Sequence, residues 1–206
     1  MAVMGRTGRG KTMLARDLLT CREYVCALAI KRDDDTLDSF PAAGYKRMVN
    51  KRWPPPYGTN RVLYWARPQN LTDIAKPRAQ IQNILDDVYQ HGGWTVFYDD
   101  IAYIAKSLGF ARTIGTLFNQ ARSSHSSQVA AMTQPSSVTQ AIPSEVWRQV
   151  RFHLIFYYRT GRDLDVISDI VGYKQAQLKR WMSLLRPYDF LCFDDLTDQI
   201  FLVRSG

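Results

Sequence analysis

The sequence predicts an α/β protein with a mainly parallel central sheet and helices on both faces. Three observations predict it. Short apolar runs alternate with longer stretches of helical apolar spacing, the pattern of strands joined by crossover helices. The run Tyr24–Ile30 is continuously apolar, as expected of a strand covered on both faces. A glycine-rich octapeptide, Gly5 to Thr12, lies between an apolar start and a helical stretch.

The elements follow in order. Met1–Met4 reads as the end of a buried strand, short beside the usual length of about five or six residues. Lys11–Leu19 reads as a helix with Leu14 and Leu18 one turn apart. After Tyr24–Ile30, the mixed-charge run Lys31–Asp35 reads as a solvated loop. Residues 46–60 form an irregular, Pro-rich insertion around Trp53–Pro54–Pro55–Pro56 and Gly58, the one linker-like stretch. Arg61–Ala66 is a strand. A helix is expected over Pro77–Gln90, with Pro77 in its first turn and Ile81, Ile84, Leu85 and Val88 on one face. Gly92–Gly93 stops it. Trp94–Tyr98 is a strand that runs straight into Asp99–Asp100. Ile114–Arg122 is helical, Gln128–Thr133 and Phe152–Tyr158 are strands, and Asp163–Ile170 and Lys174–Leu185 are helical. Phe190–Phe193 and Ile200–Val203 flank Asp194–Gln199 as a closing hairpin, at about residues 188–204. With no internal repeat, low-complexity tract or second composition, residues 1–206 read as one domain.

Composition bounds the function. Hydrophobic residues make up 46% and charged residues 22%, ordinary for a globular protein. The 27 Lys+Arg against 19 Asp+Glu, a formal charge of +8, favour a polyanionic partner, with nucleic acid ahead of an acidic membrane. Cys21, Cys26 and Cys192 form no Cys-x-x-Cys pair and no disulfide framework, which fits a reducing cytoplasm. His91, His125 and His153 lack ligand spacing for zinc. No apolar run reaches the length of a membrane span, and the N-terminal run is not a signal peptide.

Gly5–Arg6–Thr7–Gly8–Arg9–Gly10–Lys11–Thr12 fits G-x-x-x-x-G-K-[ST]. Its glycines let successive N–H groups turn inward around a phosphate, and the helix opening at Lys11 adds its positive dipole end. Lys11 suits the β- and γ-phosphates of ATP, Thr12 suits Mg²⁺, and Met13 completes the nucleotide-contacting run Gly5–Met13. The spacing reads as the phosphate-binding loop of a P-loop ATPase. In a parallel sheet ligands sit outside the carboxyl ends of strands, so Asp99 is expected beside the loop. Asp99 then holds Mg²⁺ and Asp100 polarises the attacking water, the form of a Walker B motif. Asp33–Asp35 and Asp194–Asp195 are competing acidic pairs, the first in a solvated loop and the second in the hairpin turn.

The stretch Ala121–Arg122–Ser123–Ser124–His125, followed by Gln128–Val129–Ala130–Ala131–Met132–Thr133–Gln134–Pro135, resembles the FtsK/HerA branch of P-loop ATPases. That branch carries an (A/G)R-x-x-G turn and then an apolar strand ending in (S/T)Q-x-P. With the phosphate loop and the acidic strand, the resemblance spans Gly5 to about Gly172. It implies a RecA-like fold, a polar sensor at Gln134 and an arginine finger at Arg122 that completes a neighbouring subunit's site. Guanidinium suits that work because it stays charged and matches phosphoryl oxygens with a planar fork. The resemblance further implies a homo-oligomeric ring, a hexamer, pumping double-stranded DNA without sequence preference. A viral genome-packaging ATPase is the leading form, in the host cytoplasm or the virion, docking on a portal or vertex. A plasmid or chromosome DNA-transfer ATPase, at a membrane-bound complex, is the runner-up. A P-loop kinase or a nucleotide-regulated assembly protein is the reading from another class. Three departures stand out: Asp100 replaces the usual Glu, His125 replaces the glycine of the turn, and the large N-terminal domain of many relatives is not expected in this sequence. Arg148 and Arg159 are rival fingers.

DNA contact requires cations facing phosphates. The candidates are Lys46, Arg47, Lys51, Arg52 and Arg61 around the insertion, Lys106 and Arg112 after the acidic strand, and Lys174, Lys179, Arg180 and Arg186 on or near the late helix, with Trp53, Tyr57 and Trp181 interleaved. No helix-turn-helix or zinc-finger pattern appears, so sequence-specific reading is not expected.

Overall fold

A computed structural model describes residues 1–31, 33–48, 53–66, 75–159 and 161–205. Its strands are β1 (Ala2–Met4), β2 (Val25–Ala29), β3 (Lys46–Met48), β4 (Arg61–Trp65), β5 (Thr95–Tyr98), β6 (Ser127–Met132), β7 (Phe152–Phe156), β8 (Phe190–Asp194) and β9 (Gln199–Val203). Among the described residues they form one sheet in the order β3-β4-β2-β5-β6-β1-β7-β8-β9. The first seven positions pair in parallel; β8 and β9 continue antiparallel. The α/β expectation therefore holds, and β8 and β9 pair with each other antiparallel. The short β1 is stable at the centre because β6 pairs with it on one side and β7 on the other, with all three residues buried.

The helices are α1 (Lys11–Leu18), α2 (Asp35–Asp38), α3 (Ala75–His91), α4 (Ile101–Lys106), α5 (Ala111–Asn119), α6 (Pro135–Val138), α7 (Ser144–Arg148), α8 (Gly161–Val171) and α9 (Gln175–Met182). One face of the sheet packs α1, α2 and their loops through Ala15, Leu19, Leu37 and Phe40. The other face carries most of the core, including Ile81, Leu85, Ile104, Ile114, Trp147, Ile167 and Leu178.

Three expectations change. The buried side of α1 is Lys11 and Ala15, not Leu14 and Leu18; Leu18 is exposed, and small Ala15 lies against the sheet instead. Residues 46–60 are not irregular throughout, since Lys46–Met48 adds a parallel edge strand to β4; residues 49–52 of that insertion lie outside the described residues. The helix before β6 covers Ala111–Asn119, so Arg122 falls in the turn beyond it.

That turn is shaped by close approach. A Cβ at Gly92 would lie 2.4 Å from the Ser124 carbonyl oxygen, and Gly92 has φ +65°. Gly93 N–H donates to the His125 carbonyl at 2.9 Å, and His125 itself takes φ +47°. The position where the family turn has glycine thus keeps a glycine-type conformation with a histidine in it. Gly92→Ala is expected to lower unfolding stability by about 2–3 kcal/mol, because both the clash and the backbone region oppose a side chain. Urea denaturation checks it: a midpoint equal to wild type at unchanged slope would contradict the close approach.

Candidate nucleotide site

β1, β5 and β6 are parallel neighbours or near neighbours, so their carboxyl ends open on one edge of the sheet. The phosphate loop, the two acids and Gln134 follow those strands directly. Gly5 N–H donates to the Met132 carbonyl at 3.0 Å, tying the loop to the end of β6. Gly5 must be small: a Cβ there would lie 2.9 Å from Cβ of Phe156 on β7. Gly10, at φ +83°, turns the chain into α1. No side chain caps α1 and its first turn carries no acid, so its N–H groups present an uncompensated positive end.

Lys11 is 8% exposed and its Nζ donates to the Arg6 carbonyl at 3.0 Å. Burial, helped by the Lys31 charge and opposed by Asp99 and Asp100, pulls its pKa down to about 8. Thr12 Oγ1 donates to Asp99 Oδ1 at 2.7 Å, and Asp99 is 2% exposed. On the other carboxylate oxygen, Oδ2, Asp99 meets Lys31 Nζ at 3.0 Å. Lys31 also bonds Asp34 Oδ2 at 2.8 Å.

Asp100 adopts φ +90°, ψ +68°, a region non-glycine residues rarely occupy and one found repeatedly at functional sites. Its carboxylate caps α4, accepting from Tyr103 N–H at 3.3 Å. Burial, with the Asp99 charge adding to it and the Tyr103 N–H opposing it, raises its pKa, the direction a general base needs. Gln134 is exposed at the start of α6, one residue past Thr133.

One cleft of about 600 Å³ gathers Thr7, Gly8, Gly10–Met13, Asp99, Asp100 and Gln134, together with Lys31, Asp34, Tyr103, Lys106 and Tyr188. Gly5 lies beneath it rather than in its wall. Arg6 and Arg9 line a second cleft of about 370 Å³ with Gln134 and Asp163, and the Arg9 guanidinium lies 5.9 Å from the Tyr157 ring.

Arg122 is not brought to this cleft. It is exposed in the turn leading into β6, at the opposite edge of the sheet from the phosphate loop. Among its rivals, Arg148 pairs with Asp169, whereas Arg159 is exposed just after β7, on the loop's own edge.

The reading of Lys31–Asp35 as a plain solvated loop is corrected: Asp34 caps α2 through Thr36 N–H at 2.9 Å and faces the cleft with Lys31. The signal available was its place directly after the strand flanking the acidic one. Asp194 is likewise no turn residue but ends β8, bonded to Arg151.

Four of the DNA-facing candidates are structural. Arg61 donates to the carbonyls of Thr20, Arg22 and Ala43; Arg47 stacks 4.2 Å over Trp65; Trp53 is buried and donates to Asp87; Trp181 packs on Tyr173 and Phe193. Lys46, Arg112, Lys174, Lys179, Arg180 and Arg186 are exposed, as is Tyr57, whereas Lys51 and Arg52 lie outside the described residues. Lys106 lines the cleft and donates to Ser137 and Gln140.

No protein-family model and no curated protein matches the sequence. Solved structures do. VirB4 of Thermoanaerobacter pseudethanolicus superposes with TM-score 0.72 at 8% identity, covering 100% of this chain and 88% of that one. The DNA-packaging ATPase B204 from Sulfolobus Turreted Icosahedral Virus gives 0.69 at 15%, covering 100% and 96%. The genome packaging NTPase B204 from Sulfolobus turreted icosahedral virus 2, in complex with AMP, gives 0.65 at 14%, again covering 100% and 96%. The chain shares the P-loop NTPase fold of these structures. At these identities the likeness concerns the fold, and it runs through the whole chain. In this fold the loop after β1 and the acids after β5 occupy one edge, separated only by β6.

Proposed function

We propose that the chain is a Mg²⁺-dependent ATPase that works in a homo-oligomeric ring, read as a hexamer, to move double-stranded DNA. One observation carries the ATPase reading: the Thr12 hydroxyl and the buried Asp99 carboxylate touch at 2.7 Å in a cleft that also holds Lys11, Asp100 and Gln134.

The residues fit Mg²⁺. Both donors are hard oxygens, and no group of three or more His, Cys, Asp or Glu stands ready as a full cage among the described residues. Magnesium is ordinarily bound in this way, by one or two protein oxygens plus substrate phosphates and waters. Thr12 and Asp99 would hold it, and when bound it neutralises charge on the phosphate oxygens. Lys11 leaves the Arg6 carbonyl for the β- and γ-phosphates. The open N-terminus of α1 and the loop's N–H groups cradle them. Asp100 takes the proton of the attacking water, and Gln134 orients that water or the γ-phosphate.

The ring and the DNA rest on the family resemblance, the basic surplus and the position of Arg122. An arginine far from its own subunit's cleft is free to serve another's. No described helix is long and apolar enough to cross a membrane. A viral packaging motor is the preferred cargo system, with plasmid or chromosome transfer behind it.

The test is ATPase rate against protein concentration, with and without duplex DNA. The rate per subunit is expected to rise with both, and Arg122→Ala to lose about 10³-fold or more. Mixing Arg122→Ala with Asp100→Asn protein is expected to restore part of the activity, because each supplies what the other lacks. A rate indifferent to concentration, DNA and Arg122 would sink the ring and leave the ATPase reading standing.

A further inference from the structure

The catalytic groups all lie on one side of the phosphate loop. From β1 the sheet runs through β6 to β5, and Asp99, Asp100 and Gln134 are on that side. A nucleotide whose terminal phosphate meets them must leave the loop on the other side, where β7 and β8 lie. There β8 begins opposite the end of β7, with Phe190 paired to Phe156, so the turn before β8 stands on the same edge as the loop.

That turn presents Tyr188. The residue is 57% exposed and lines the same cleft as Lys11 and Asp99. A Cβ at Gly10 would meet its Cδ1 at 3.4 Å, so the ring stands against the mouth of α1. Its backbone has φ +71°, costly for an aromatic residue. The turn is built to hold it there. Asp189, 2% exposed, accepts from Arg186 N–H at 3.0 Å and from Ser205 N–H at 3.1 Å, clamping both ends of the hairpin. Beneath, the Phe190 ring lies 5.4 Å from Phe156, the residue packed under Gly5. The turn that carries Tyr188 is thus packed beside the phosphate loop.

We propose that Tyr188 is the base-stacking platform of the nucleotide site, the surface on which the planar base of a nucleoside triphosphate lies. The assignment rests on the phosphate loop binding nucleotide. An aromatic face accepts any base, so it contributes affinity with little discrimination among bases.

The test measures wild type, Tyr188→Ala and Tyr188→Phe by calorimetry with two probes, ATP and inorganic tripolyphosphate. Tyr188→Ala is expected to weaken ATP about tenfold or more, the usual scale of a lost base stack, and to leave tripolyphosphate unchanged. Tyr188→Phe keeps both affinities. The fluorescence of 2-aminopurine riboside triphosphate, quenched on binding wild type, is expected to stay bright in Tyr188→Ala. Equal ATP affinity in wild type and Tyr188→Ala would overturn the platform while leaving the nucleotide site intact. Equal loss of both probes in Tyr188→Ala would also overturn it, making the residue a support for the loop. If wild type binds neither probe, the nucleotide site falls and the platform with it.

Discussion

Phosphate release by Lys11→Ala is expected to fall to background, a loss of at least about 10²–10³-fold, the scale of removing one preorganised charge from a transition state. The reason lies in the free site. The Lys11 ammonium is buried, bonded to the Arg6 carbonyl at 3.0 Å, with a pKa pulled down to about 8 by that burial. Such a group is poorly solvated and is stabilised when phosphate oxygens arrive. Its removal is expected to strip binding and rate together while leaving the fold nearly unaffected, since among the described residues it bonds one backbone carbonyl. A thermal melt beside the rate measurement separates the two effects. An unchanged rate in a folded Lys11→Ala protein would refute the P-loop assignment itself.

The second large effect is expected at Asp100. Asp100→Asn lowers hydrolysis by about 10²–10⁴-fold, the range for a lost general base, and leaves nucleotide binding in place. Asparagine suits this test for a structural reason. It tolerates the left-handed backbone that Asp100 adopts, and its amide oxygen still accepts from Tyr103 N–H at the start of α4. Stability is therefore expected to stay within about 0.5 kcal/mol of wild type. Binding of a non-hydrolysable ATP analogue, measured beside phosphate release, checks both halves. Full activity in Asp100→Asn would move the base elsewhere in the cleft.

The phosphate loop, Asp99, Asp100 and Gln134 were legible in the sequence because each directly follows a strand whose apolar run is itself legible, and parallel pairing delivers all of them to one edge. Lys31, Asp34 and Tyr188 were not. Lys31 and Asp34 sit in a mixed-charge run whose local pattern is that of solvent, and only the adjacency of β2 and β5 brings Lys31 to Asp99. Tyr188 reaches the loop only because β8 reverses direction against β7. The edge strand β3 was hidden by its composition, with Lys46 and Arg47 leaving Met48 as its one buried side chain. Arg61 and Trp53 misled in the opposite way. Basic and aromatic residues around a Pro-rich stretch suggest nucleic acid, but here their polar atoms are consumed by carbonyls and by Asp87.

Lys31 has a consequence for how the site assembles. Asp99 is a nearly inaccessible carboxylate, and such a charge without a counter-charge is expensive to keep. Here the chain carries its own counter-ion on a flexible tether, 3.0 Å from Asp99 and 2.8 Å from Asp34. Under the proposed function, folding would not wait for a divalent cation, and a chelator would remove the chemistry without melting the protein. An incoming cation would take the place of an ammonium already beside Asp99. Lys31 would then keep its contact with Asp34 in the wall of the cleft, so metal loading would leave a cation facing the space proposed for the triphosphate.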